Sequence, residues 1–229
     1  MPTPEHVTIE TSDGVLLAGL FVEPIGPAIG SVLLLHMMTS TKESWLPLMG
    51  RLADRGLRSL AVDLRGHGGS RMTIDRRELD YRDFTPVEQQ AKRLDVEASV
   101  RWLVTQRGVE PARLALVGAS IGANLAIRHA AEHHEIPAAA ALSPGLDYRG
   151  VTTPDAVSRL APDQALFLAA SRGDDHASWE AVHELAAARP GVELVEFEGD
   201  AHGTAMAGSH PELVECLVAW IVRAIGDRR

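Results

Sequence analysis

A serine between two glycines stands where a nucleophile could act. The segment Gly118-Ala119-Ser120-Ile121-Gly122 follows an apolar run and precedes a pattern that favours a helix. At a strand-to-helix turn a serine Oγ is exposed above a helix N-terminus, whose N–H groups favour developing negative charge. The two glycines are expected because the turn brings backbone against backbone. A tight turn with an incidental serine would have the same five residues, so the motif alone leaves both interpretations open.

An acid and a histidine follow Ser120 in an informative order. Asp174 comes after the apolar run 164–171, and His202 comes after the next one, 192–199. Where such a turn holds a nucleophile, its partners follow along the chain as acid and then histidine. None of the other nine histidines combines a position after a strand with this order. The order therefore favours a catalytic Ser120 over an incidental one.

Alternating apolar and amphipathic segments predict the elements that position these residues. Two short strands, 6–11 and 15–22, flank the turn Ser12-Asp13-Gly14, which predicts an antiparallel hairpin. Helical patterns separate the buried apolar runs 31–36, 57–64, 112–118, 138–144, 164–171 and 192–199. We therefore predict an α/β fold with a mostly parallel sheet of about eight strands and helices on both faces. Reactive groups should gather at the carboxyl ends of its strands.

Composition narrows the function classes. The 229 residues are 45% hydrophobic and carry a net charge of -9, which argues against a nucleic-acid partner because phosphate binding needs a positive field.

No linker or repeat divides residues 1–229, so one domain is expected. The N-terminal segment has no basic region followed by an apolar run, and the nearly uncharged stretch 24–41 is broken by glycine and proline. These features predict a cytoplasmic protein without a membrane span.

A second motif points to metal chemistry. His129, Glu132 and His133 match the H-x-x-E-H pattern of inverted zinc peptidases. A helix that begins at Ser120 would place His129 about 13 Å away from the carboxyl ends of the strands. No obvious third ligand follows, so we favour a solvated helix end and predict no metal. No G-x-G-x-x-G segment follows the first parallel strand, and no organic cofactor is expected.

Taken together, these motifs resemble the α/β-hydrolase family over nearly the whole chain. The resemblance rests on the serine motif, on Asp174 and His202, and on residues 63–70, DLRGHGGS, which are similar to the family's D-x-R-G-x-G-x-S stretch. It implies that Ser120 attacks an acyl carbon, that His202 takes and returns the proton, and that Asp174 orients the imidazole. Asp147 and then Asp175 are the alternative acids.

The resemblance also implies an oxyanion hole and a pocket. Its donors would be the N–H of Ile121 and one N–H from the loop after His36, by register that of Met38 with Met37 as the alternative. Many family members have glycine directly after this histidine, and the methionines here depart from that pattern. Their thioethers, with that of Met206, are candidates for an adaptable apolar pocket, although each would equally fit the core. His67 is implied to shape its loop.

The resulting functional prediction is a serine hydrolase that cleaves a small carboxylic ester or thioester through an acyl-enzyme intermediate. Only about twenty residues separate the strand that ends near Ser143 from the one that starts near Gln164, so no large cap and an open site are expected. A peptidase or amidase with the same residues, or a non-catalytic binding protein of this family, are the alternatives. Dehalogenase chemistry would require aspartate at position 120. The oligomeric state is not predicted.

Overall fold

A twisted sheet lies at the centre of the computed structural model, which describes residues 2–174 and 177–226. Its strands and those of one small hairpin are β1 (Glu5–Glu10), β2 (Val15–Val22), β3 (Gly30–Leu35), β4 (Leu57–Val62), β5 (Met72–Thr73), β6 (Leu114–Ala119), β7 (Ala138–Leu142), β8 (Asp147–Tyr148), β9 (Val151–Thr152), β10 (Ala165–Ser171) and β11 (Glu193–Phe197). The helices are α1 (Leu46–Asp54), α2 (Pro86–Gln90), α3 (Arg93–Arg107), α4 (Ile121–Glu132), α5 (Pro154–Arg159), α6 (Ser178–Ala187), α7 (Met206–Ser209) and α8 (Pro211–Gly226). Short 3-10 helices span Lys42–Trp45, Tyr81–Asp83, Pro111–Arg113 and Gly203–Ala205.

The strand order confirms the predicted α/β fold. The sheet runs β1-β2-β4-β3-β6-β7-β10-β11, with the two-residue β5 paired to β2. β1 and β2 form the expected antiparallel hairpin, and β2 also pairs antiparallel with β4. The strands from β4 to β11 along this order pair in parallel. All eight predicted strands are present, whereas β5 and the separate β8–β9 hairpin were not predicted.

Two apolar cores cover the opposite faces of the sheet. Along β3, Leu33 and Leu35 pack into the core that contains residues of α3, α4, α5 and α6. The alternating residues Val32 and Leu34 pack into the other core, which contains residues of α1 and α8. Because successive strand side chains point to opposite faces, a strand covered on both faces reads as a continuous apolar run. This explains why the sequence located the parallel strands.

Ion pairs of Asp63 and Arg65, two of them buried, fix the 63–70 loop at the carboxyl end of β4. Asp63 accepts hydrogen bonds from Nζ of Lys42 at 2.7 Å and from the N–H of Gly69 at 2.8 Å. Arg65 donates to Asp95 at 2.8 Å and to Asp13 at 2.7 Å. Breaking one partner of a buried pair leaves an uncompensated charge, so these contacts fix the loop. No helix within the described ranges is long and apolar enough to cross a membrane.

Candidate active site

The turn at Ser120 is strained, and both neighbouring glycines are required. Ser120 has φ 53° and ψ -121° between the end of β6 and the start of α4. A Cβ at Gly118 would lie 2.0 Å from the carbonyl oxygen of Gly122, and one at Gly122 would lie 2.3 Å from that of Leu35. Real Cβ atoms do not approach backbone this closely. The structure thus confirms the reason for which the sequence predicted glycine at both positions.

Hydrogen bonds hold the Ser120 backbone in this conformation. Its N–H donates to the carbonyl oxygen of Leu142 at 2.9 Å, which ties the turn to β7. Its carbonyl oxygen accepts from Ala123 and Asn124 in the first turn of α4. Strained backbone of this kind persists only where its surroundings determine it, and it clusters at functional sites. Ser120 lines a cavity of about 420 Å³ and is 8% exposed.

His202 and Asp174 are in direct contact. Nδ1 of His202 lies 2.6 Å from Oδ2 of Asp174, whose carboxylate is fully buried, while the imidazole is 16% exposed. Asp174 follows β10 and His202 follows β11. Because these neighbouring strands are parallel, the two residues lie together at the carboxyl ends of the strands. His202 lines the same cavity as Ser120. A carboxylate at Nδ1 favours the tautomer that has its proton there and leaves Nε2 as the basic nitrogen.

The alternative acids are placed differently. Asp147 lies at the exposed start of β8 and lines the cavity, but its Oδ1 accepts a hydrogen bond from the N–H of Gly150 at 2.6 Å. Asp147 thus closes its own hairpin turn. Asp175 lies outside the described residues.

Ser143 at the end of β7 anchors the loop that contains His202. Its Oγ accepts a hydrogen bond from the N–H of Gly203 at 2.9 Å and lies 3.3 Å from Sδ of Met206. The backbone of Ser143 has φ 50°, a second strained serine near the cavity. Met206, which the sequence offered as a pocket candidate, does not line this cavity. It is fully buried in the α1–α8 core.

The loop after β3 contains a backbone N–H, that of Met38, that has no hydrogen-bond partner within the described residues. The carbonyl oxygen of Met37 accepts from Nδ1–H of His36 at 2.7 Å and from the N–H of Ser40 at 3.0 Å. In a trans peptide the next N–H, that of Met38, points opposite to this carbonyl. Neither this N–H nor that of Ile121 has a hydrogen-bond partner within the described part of the chain. Both residues, and Met37, line the cavity.

His36 is a neutral, buried side chain that links the loops after β3 and β4 by hydrogen bonds. Its Nε2 accepts a hydrogen bond from the N–H of Leu64 at 2.9 Å, so its proton must lie on Nδ1. Burial, and secondarily the neighbouring His67, lower the pKa of His36 to about 3. His67 stacks on Tyr81 with ring centroids 3.9 Å apart and faces the carbonyl oxygen of Arg65 at 3.0 Å. His67 therefore packs its loop.

The depressed pKa of His36 predicts acid sensitivity. Between about pH 6.5 and pH 3 the unfolded chain binds a proton at this position that the folded chain excludes, so stability falls as the pH drops. Replacing His36 by glutamine, which removes the titrating group, should lessen the loss of unfolding free energy between pH 7 and pH 5 by about 1–2 kcal/mol. Urea unfolding of both proteins at the two pH values measures this difference. Parallel losses would contradict a neutral, buried His36.

Tyr148 is the functional candidate that the sequence did not reveal. It lines the cavity, and its hydroxyl lies 3.0 Å from Oγ of Ser178 and 3.5 Å from the carbonyl oxygen of Ser143. Burial raises the pKa of Tyr148, which keeps the hydroxyl protonated and able to donate. The signal that could have located it is the run Asp-Tyr-Arg-Gly-Val-Thr at 147–152, in which glycine marks a tight turn between strand-forming residues.

The histidine motif on α4 has no metal-site geometry. Among the described residues no group of histidine, cysteine and acidic side chains could hold a metal ion. The predicted solvated helix end is wrong for His129, which is 5% exposed and stacks on His133 with centroids 4.2 Å apart. Burial lowers the pKa of His129 to about 3, so it packs as a neutral ring.

Comparison with known proteins gives a family match and a set of similar folds. The model of the alpha/beta hydrolase family matches residues 32–173. An esterase of Pyrococcus furiosus has a TM-score of 0.79 at 23% identity, over 97% of this chain and 91% of the esterase chain. A dienelactone hydrolase of Anabaena variabilis has a TM-score of 0.76 at 20% identity, over 97% and 99% of the two chains. The protein Est1E of Butyrivibrio proteoclasticus, solved with ferulic acid bound, has a TM-score of 0.79 at 17% identity, over 96% and 100%. At these identities the likeness concerns the fold.

Curated relatives match part of the chain. Two uncharacterized proteins of Mycobacterium tuberculosis, from strains CDC 1551 and H37Rv, are each 32% identical over 128 residues. The match covers 56% of this chain and 41% of each relative. It therefore spans about two fifths of those longer proteins.

Proposed function

Because this chain belongs to the alpha/beta hydrolase family, we propose that it cleaves a carboxylic ester or thioester through an acyl-enzyme intermediate on Ser120. One observation carries the proposal. Ser120 and His202 line the same cavity, and the buried carboxylate of Asp174 lies 2.6 Å from the imidazole of His202. A nucleophile, a base and a group that orients the base are thereby within one site.

Each group has a role in a two-step transfer. Oγ of Ser120 attacks the carbonyl carbon while its proton passes to Nε2 of His202, and that proton then leaves with the alcohol or thiol as its bond breaks. Water next attacks the acyl-enzyme, gives a proton to His202 and releases the carboxylic acid, and Ser120 regains its proton. Asp174 keeps the imidazole oriented and stabilises the imidazolium that forms in each step.

Two backbone groups serve as the oxyanion hole in this proposal. The N–H groups of Ile121 and Met38 have no partner within the described residues and belong to cavity-lining residues. Bonding of the Met37 carbonyl to His36 and Ser40 fixes the peptide that bears the Met38 N–H. A donor fixed before the reaction costs no reorganisation when charge develops on the carbonyl oxygen. We assign Met38 the role of second donor, in preference to Met37.

Small substrates fit the cavity that these groups share. Its volume of about 420 Å³ is within the usual range for small-molecule sites. Met37, Met38 and Ile121 supply apolar walls, and flexible thioethers adapt to acyl groups of different shape. The likeness to an esterase and to a ferulic-acid-bound protein of the same fold agrees with an ester substrate.

A fluorophosphonate probe tests the proposal directly. The folded protein should become covalently labelled, and mass spectrometry of its peptides should place the adduct on Ser120. The variant Ser158→Ala should label as the native protein does, since Ser158 lies exposed on α5 and outside the cavity. Heat-unfolded protein should not label. Folded protein that remains unlabelled would reject the serine nucleophile.

A panel of p-nitrophenyl esters of increasing acyl length then sizes the pocket. The corresponding p-nitroanilides separate ester from amide cleavage. Turnover of the anilides at rates comparable with those of the esters would assign an amidase or peptidase to the same residues.

A further inference from the structure

An unpaired arginine lies at the mouth of the proposed active site. Arg149 lines the cavity together with Ser120 and His202, and it is exposed. Within the described ranges its guanidinium has neither a hydrogen bond nor an ion pair. By contrast, Arg71 and Arg82 on the neighbouring loop both pair with Asp80. In a protein of net charge -9, the cavity that Ser120 lines therefore contains a guanidinium group that forms no ion pair within the described residues.

Arg149 occupies a backbone position that suits another residue type. β8 and β9 pair Tyr148 with Val151, so Arg149 and Gly150 form a two-residue turn with φ values of 58° and 84°. Such turns need positive φ at both residues and favour Asn-Gly. Arginine here costs conformational energy that asparagine would avoid. The rigid turn also fixes where the arginine side chain starts.

One acidic side chain shares the cavity wall with Arg149. The carboxylate of Asp147 accepts a hydrogen bond from the turn N–H of Gly150 and, within the described part of the chain, forms no ion pair with Arg149. Lys92 is fully buried beside Gln89 and Phe84. Burial lowers the pKa of Lys92 to about 8; the negative charge of Asp95 opposes this shift, and the positive charges of Arg65 and Arg149 add to it. Because Lys92 is buried and does not line the cavity, Arg149 is the cationic side chain of the cavity wall that an anion would meet.

We propose that Arg149 forms an anion subsite, and that the substrate is an ester that carries a carboxylate several bonds from its scissile carbonyl. The proposal rests on the proposed ester hydrolysis and names its substrate class. Guanidinium and carboxylate match as planar, bidentate partners, and charge-assisted hydrogen bonds of this kind are stronger than neutral ones. The apolar walls would hold the carbon chain between the two ends.

Matched pairs of esters test the subsite. On the acyl side the pair is mono-p-nitrophenyl adipate and its neutral counterpart p-nitrophenyl heptanoate. On the leaving-group side the pair is 4-carboxyphenyl hexanoate and 4-(methoxycarbonyl)phenyl hexanoate, in which a neutral methyl ester replaces the carboxylate. In at least one pair, Arg149→Gln should lower the ratio of kcat/KM for the anionic ester to that for the neutral ester by about tenfold. Added salt should lower the same ratio in the native protein.

Two further variants separate recognition from backbone effects. Arg76 also has positive φ, 66°, but it does not line the cavity, so Arg76→Gln should leave the ratio unchanged. Arg149→Asn suits the turn and should lose the preference for the anion while the melting temperature stays equal or rises. A ratio that is unchanged in both Arg149 variants would overturn the subsite. So would a melting temperature several degrees lower in Arg149→Asn, since it would assign the arginine to stability.

A binding measurement keeps the subsite separable from catalysis. Adipate at millimolar concentration and low ionic strength should raise the melting temperature of the native protein, but not that of Arg149→Gln. If no ester is hydrolysed and adipate still stabilises in this way, the proposed hydrolysis fails and the anion site stands. If neutral esters are hydrolysed and neither the ratio nor the melting temperature depends on Arg149, the anion site alone fails.

Discussion

Ser120→Ala is expected to lower kcat for p-nitrophenyl butyrate by at least about 10⁴-fold, because no other group replaces the covalent step. The substitution removes only Oγ. Alanine has the same Cβ as serine and meets the same positive φ, so the strand-to-helix turn and the melting temperature should be preserved. Hydrolysis rates and thermal unfolding of native protein and variant, purified in parallel, measure both effects.

The control for this experiment is Ser158→Ala, which removes a hydroxyl from the exposed surface of α5. It should match the native rate, and a contaminating esterase would give the same residual rate in every preparation. Equal turnover by the Ser120 variant and the native protein would exclude Ser120 as the nucleophile and leave the alternative of a non-catalytic binding protein.

Asp174→Asn should lower kcat by about 10³–10⁴-fold with little change in KM, because an amide does not stabilise the imidazolium and permits the wrong tautomer. The buried carboxylate lies 2.6 Å from Nδ1 of His202, so its negative charge acts at short range in a water-poor site. Steady-state kinetics across acyl lengths measures kcat and KM separately.

The matched comparison is Asp147→Asn, at the other carboxylate that follows a strand near the cavity. An asparagine oxygen can still accept the hydrogen bond from Gly150, so the hairpin should stay closed and kcat should change less than about tenfold. A larger loss in this variant than in Asp174→Asn would make Asp147 the orienting acid. Loss in neither would direct attention to Asp175→Asn.

Much of the fold could be predicted because the sheet is covered on both faces. Each parallel strand must be apolar on both sides, so runs such as Ser31–His36 and Leu57–Leu64 are visible without alignment. Chain order, in turn, brought Ser120, Asp174 and His202 into consideration, and the structure places the first and last on one cavity. The apolar pattern of the strands and the order of the three site residues can both be read from the sequence without knowledge of contacts in the fold.

Three features were not predicted from the sequence: the burial of Met206, the cavity position of Tyr148 and the burial of His129. A methionine is apolar in a core or in a pocket, so nothing in the sequence distinguished buried Met206 from cavity-lining Met37. Two-residue strands such as β8 are too short to have a period, which hid Tyr148. His129 was predictable in part, since it lies four residues after buried Leu125 and hence on the same face of α4.

The edge position of β11 places the proposed base, His202, next to a strand that is paired on one side only within the described residues. β11 is only partly buried, pairs with β10 alone among the described strands, and leads directly into the loop of His202. Proteins open locally at such edges at lower free-energy cost than they unfold as a whole. On heating, the proposed base would separate from Ser120 while the central strands remain paired. Heat inactivation would then precede melting, and reinforcing the β10–β11 edge would extend the working temperature without any change to the core.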